Sequence, residues 1–212
     1  VRGAPACNDC QGNHGATPPS VDAISNICGA CHSYNAELFL GCPIAPAFRE
    51  RSLAECVACH GKHKITHVEE EWVGDNPGQT CRKCHDEGDE GSDLALYFTD
   101  SMATARQSFD EIDELLTEAE NKGMDVTEAE DYVEAARQGL MQARTLVHAF
   151  SKPAMEEKLI EVAENQTAAL EAGYAALRGL KDRRRGLLIS TVLLLIFTLL
   201  VAIKIRSLPP LD

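Results

Sequence analysis

With 33 acidic residues against 20 basic ones, the 212-residue chain carries a formal charge of −13. That balance argues against nucleic acid, which needs a basic surface, and suits a docking partner with a basic patch. The length allows one or two small units. Because residue 1 is Val and not Met, a removed export signal is expected ahead of it.

Residues 1–93 are rich in Gly, Pro, Cys and His and hold no sustained helical or strand period. Their large apolar side chains are few, chiefly Ile24, Ile27, Leu38, Phe39, Phe48 and Trp72. Such a segment struggles to offset its own chain entropy. All nine cysteines lie between Cys7 and Cys84. Eight form Cys-x-x-Cys pairs (Cys7/Cys10, Cys28/Cys31, Cys56/Cys59 and Cys81/Cys84), and Cys42 is left over.

Three of the pairs run directly into histidine, giving Cys28-Gly-Ala-Cys31-His32, Cys56-Val-Ala-Cys59-His60 and Cys81-Arg-Lys-Cys84-His85. Cys-x-x-Cys-His is the attachment pattern of c-type haem. Two thiols at that spacing add to the two vinyl groups on one porphyrin edge, and the adjacent imidazole reaches the iron from the same side. Paired Cys-x-x-Cys also suits tetrahedral zinc, but zinc does not require His after the second Cys three times over. Porphyrin faces would supply the apolar surface that this zone lacks, which makes haem its expected core.

The zone also repeats itself. Cys56-x-x-Cys59-His60-Gly61-x-His63 matches Cys7-x-x-Cys10-Gln11-Gly12-x-His14, and each is followed by a second pair. On these residues the first 93 positions resemble the multihaem cytochromes c with a doubled Cys-x-x-Cys-His module, in the style of cytochrome c3. The resemblance implies covalent haem c and bis-histidine irons stacked closely enough for electrons to hop between them. Gln11 departs from the pattern. Either a fourth haem is held by Cys7 and Cys10 with an unusual or missing axial ligand, or the site has lost haem. A lost site leaves a disulfide, or a metal site with His14 and Cys42. Cys42 is otherwise expected as a disulfide partner or a buried thiol.

From about residue 94 the pattern becomes helical. Met102, Ala105, Phe109, Ile112, Leu116 and Ala119 form one stripe. Ala129, Val133, Ala136, Leu140, Ala143, Val147 and Phe150 form a second, and Met155, Leu159, Val162, Ala169, Gly173, Leu177 and Leu180 a third. Gly123 ends the first helix, Thr127 with Glu130 reads as a capping box opening the second, and Pro153 suits the first turn of the third. Short connections imply an antiparallel hairpin or three-helix bundle across residues 94–185. Residues 186–203, GLLISTVLLLIFTLLVAI, carry no charge. At about 1.5 Å per residue they suffice to cross a bilayer, followed by a short tail at 204–212. Without a breaker after Pro153, the third helix is expected to run on into the span. The fold class is therefore mainly α, with an irregular haem-packed N-terminal domain, a helical bundle and one C-terminal transmembrane helix.

Three bis-histidine haems require three ligands beyond His32, His60 and His85. Four histidines remain: His14, His63, His67 and His148. His14 and His63 hold equivalent repeat positions. His148, beside the second stripe, is expected to reach across from a rigid helix and cap a haem. Lys181, Arg183, Arg184 and Arg185 precede the span, which by the positive-inside rule places the N-terminal side in the cytoplasm. Haem attachment takes place outside it, and the haem chemistry decides for an extracytoplasmic haem zone on a single-pass anchor. The expected function is electron transfer between a quinone-linked membrane subunit and a soluble or extracellular redox partner. The alternatives are a small reductase with an open haem at Cys7/Cys10, or a docking subunit of a larger complex.

Overall fold

The computed structural model describes residues 5–12, 24–65, 67–68 and 72–207. Among these every regular element is helical. Five short helices lead: α1 (Cys7–Gln11), α2 (Ile24–Gly29), α3 (Ser33–Gly41), α4 (Ala45–Glu50) and α5 (Glu55–His60). A 3₁₀ turn at Cys81–Lys83 follows, and then three long helices: α6 (Glu90–Asn121), α7 (Thr127–Leu146) and α8 (Lys152–Arg206). The N-terminal zone is thus less irregular than its sequence suggests, because helices of five to nine residues are too short to show a period.

The two halves of the repeat share a backbone device. α1 and α5 each end on a glycine, Gly12 at φ 77° and Gly61 at φ 72°, whose N–H bonds back to the carbonyl of Asn8 or Val57. With ψ close to 180° this is a conformation that glycine alone adopts readily.

By contact the chain divides into two units: residues 1–107 with 135–164, and residues 108–134 with 165–212. In the first, α2 packs on α3 and α5, and α3 packs on a 3₁₀ turn at Val147–Ala149 that follows α7. Phe39, Cys42 and Ala45 form a small buried cluster joined by Ile44, Phe48 and Phe150. The rings of Phe39 and Phe48 meet edge to face at 5.3 Å. Gly139 of α7 lies against Val162 of α8 with no room for a β-carbon. In the second unit Gly173 of α8 gives the same clearance to Leu115 and Leu116 of α6, and Gly179 adjoins Met124. The numbers rise together, so α6 and α8 run parallel there.

Buried residues along the long helices follow the expected stripes, with Met102, Phe109, Ile112, Leu116, Ala119, Ala129, Val133, Ala136, Leu140, Ala143, Met155, Val162 and Ala169 all inside. Three details differ from expectation. α6 starts at Glu90 and not near residue 94, because the Asp89 carboxylate caps it by accepting the Ser92 N–H at 2.8 Å. At the start of α7 the cap is Asp125, which accepts both the N–H and the hydroxyl of Thr127, in place of the Thr127/Glu130 box. The second stripe leaves the α-helix at Leu146: Val147–Ala149 tighten into the 3₁₀ turn and Phe150 turns left-handed at φ 47°. His148 therefore sits on a tight turn and not on a helix. The chain must reverse before Ser151, whose hydroxyl and carbonyl accept from the first turn of α8.

α8 is continuous over 55 residues and takes in both Pro153 and the apolar run. It is one helix long and apolar enough to cross a membrane, and none of its apolar window is buried within the structure. A core helix of the same composition would be covered by neighbours; Leu187, Leu193 and Phe197 are each more than 60% exposed.

Candidate functional site

The three complete Cys-x-x-Cys-His motifs gather around α5. On its N-terminal side Cys56 hydrogen-bonds the thiol of Cys28, and burial followed by that neighbour pushes the Cys56 thiol up to about 11. On its C-terminal side Cys59 is raised first by burial and then by nearby Cys81, with Cys84 adding to it and Lys83 opposing it. The α2–α5 contact is held by Glu55, a buried carboxylate that accepts the Ser25 N–H at 2.9 Å. Glu55 itself takes a strained positive φ of 33° at the helix start.

His60, which ends α5, has Trp72 on one side at 5.5 Å between ring centres and His148 on another at 6.0 Å, with the two imidazole planes within 15°. Burial lowers the His60 pKa, and His148, His32 and Lys83 lower it further. The neutral ring that results is the form that ligates metals. His148 Nδ1 lies 2.9 Å from the Thr145 carbonyl and 3.4 Å from the Asn35 side-chain amide. A carbonyl can only accept, so Nδ1 carries a proton and donates it there, and Nε2 is the nitrogen left for a further partner.

His85 is held in the same way by different atoms. Its Nδ1 donates to Asp89, 3.1 Å and 3.2 Å from the two carboxylate oxygens, which leaves Nε2 as the nitrogen not engaged by that carboxylate. Asp89 sits below the usual carboxylate range, mainly because it accepts the Ser92 N–H and also the Asp86 N–H and His85. Gly91 makes room for the ring, since a methyl group there would overlap the imidazole. Arg82 donates to the His85 carbonyl at 2.9 Å.

The other candidates are more dispersed. His32 is exposed and precedes α3, while His63 and His67 are exposed on the stretch after Gly61. His14 lies outside the described residues. Cys7, Cys10 and Gln11 are exposed on α1. Cys42 is 5% exposed, inside the Phe39 cluster. Among the described residues no group of three or more His, Cys, Asp or Glu is arranged to hold a bare metal ion. Cys42 is a buried free thiol, packed among the aromatic and aliphatic side chains of that cluster.

Asp89, Gly91, Thr145, Asn35 and Glu55 were not singled out from the sequence. Asp89 was the most accessible, standing four residues beyond His85 at the mouth of a helix. Asn35 lies 113 positions from His148, and only the fold relates them. No protein-family model, curated protein or solved structure matches the chain.

Proposed function

We propose that this chain is a membrane-anchored multihaem c-type cytochrome, carrying electrons between a quinone-linked membrane subunit and a soluble or extracellular redox partner. The observation that carries the reading is the convergence of three complete Cys-x-x-Cys-His motifs on one short helix. The residues suit haem chemically. Each motif offers two thiols for the vinyl groups and one imidazole for the iron, and a porphyrin supplies four of the six iron ligands. Two protein nitrogens then suffice, and no cluster of three or more protein ligands is required.

Cys28 with Cys31, Cys56 with Cys59 and Cys81 with Cys84 would hold the three haems, with His32, His60 and His85 as proximal ligands. The distal candidates remain His14, His63, His67 and His148. When bound, haem supplies reversible one-electron chemistry, its potential set by ligand type, hydrogen bonding and solvent access. The protein's own part is to fix ring tautomers through Asp89 and the Thr145 carbonyl, and to shield Cys59 and His60 from water. Bis-imidazole ligation favours lower potentials than methionine would; Met102, Met124, Met141 and Met155 all belong to the long-helix part.

The exposed apolar end of α8 would tether the haem zone to the outer face of the membrane, where haem is attached. Lys181 and Arg183–Arg185 would then meet lipid phosphates or a partner subunit at the headgroup level. A second reading, a reductase, draws on α1. That helix repeats the stop of α5 but is exposed and carries Gln11 in place of His, so a haem there would have an open iron. Intact mass of the mature protein tests the proposal. Three or four haem increments are expected, and a mass with none or one, or zinc in their place, overturns it.

A further inference from the structure

We infer that His148 and His60 bind one and the same iron from opposite faces, so that the haem of Cys56 and Cys59 is closed by a ligand 88 residues further along the chain. The inference rests on the haem reading above. Two imidazoles facing each other across a metal, each at about 2 Å from it, place their ring centres about 6 Å apart. The observed separation of His60 and His148 is 6.0 Å, with planes within 15°. His148 has its Nδ1 committed to Thr145, so the nitrogen left for a metal is Nε2.

The nearer candidate in sequence fails on reach. His63 is three residues from His60, and three extended residues span at most about 10 Å. That is too short a tether to round a porphyrin edge and return to the opposite face. His67 and His63 are exposed, whereas His148 is partly buried against α3 through Asn35. The 3₁₀ turn explains how the reach is made. By leaving the α-helix at Leu146 the chain turns His148 toward α3 and α5 instead of continuing the stripe. Thr145 is a positioning residue for this ligand.

The test uses the full-length, haem-loaded protein. If the wild type carries no haem by mass, the parent reading fails and not merely the pairing. With haems present, H148A is expected to keep its haem count and convert one low-spin haem to high-spin, and added imidazole should restore it. The EPR signal lost should be of the rhombic type that near-parallel axial imidazoles produce. In a C56A/C59A background, with one haem fewer, H148A should have no further effect on spin state. An unchanged low-spin spectrum for H148A overturns the pairing, as does a high-spin conversion that persists in the C56A/C59A background. Should that background not accumulate, EPR decides on H148A alone: loss of a strongly axial, large-g signal overturns the inference.

Discussion

Residues 24–89 and the three long helices hold themselves together with different material. In the first region the buried hydrophobic side chains among the described residues are Phe39, Cys42 and Ala45, on or between helices of six to nine residues. In the second, an unbroken series of buried side chains runs from Ala95 to Ala169 along helices of 20 residues and more. Short helices are marginal in water even when their composition is favourable. The long helices bury a stripe sufficient to fold on, whereas the described part of the cysteine-rich region buries few apolar side chains and brings thiols and imidazoles close together.

Withholding haem is the strongest way to break that comparison. Expressed without haem-attachment machinery, the chain should show amide exchange close to the unfolded limit across residues 24–89, with α6 to α8 still protected. Equal protection in both regions would mean that the first has a polypeptide core of its own. Removing the apolar end of α8 should have the next largest effect. A chain stopped after Asp182 is expected to leave the membrane fraction and remain haem-loaded, checked by salt wash and haem absorbance.

Ile112 sharpens the comparison from the helical side. It is fully buried in α6, and Ile112→Ala should cost about 2–5 kcal/mol in unfolding free energy while leaving the haem spectrum unchanged. Asp89 lies where the regions join in sequence, capping α6 and holding His85 at once. A carboxylate on Nδ1 makes the imidazole a stronger donor and favours the oxidised iron. Asp89→Asn should therefore raise the potential of one haem in a redox titration and leave the others in place.

The smallest effect concerns Asp125. Its pKa is depressed, first by the Thr127 N–H and then by the Thr127 hydroxyl. A carboxylate depressed in the fold contributes stability above its unfolded pKa, and that stability is lost as the pH falls through the folded value. Asp125→Asn should lower the melting midpoint slightly at neutral pH. The difference from wild type should vanish in acid below the ordinary aspartate range, as followed by helical circular dichroism.

The long helices were legible in the sequence because a period of 3.6 sustained over many residues records directly which face is buried. The uncharged run at 186–203 and the Cys-x-x-Cys-His motifs were legible for similarly local reasons, since length, charge and fixed spacing carry their chemistry. The short helices α1 to α5 were not, because five to nine residues complete too few turns to reveal a stripe. Nor could spacing alone show that α5 is the helix on which the other two complete motifs converge. The place of His148 on a 3₁₀ turn, the shift of the α7 cap to Asp125 and the burial of Cys42 all follow from where the chain must reverse or pack. Contacts such as Asn35 with His148 join residues more than a hundred positions apart. Local pattern decided what each segment is made of, and tertiary packing alone decided which imidazoles face one another.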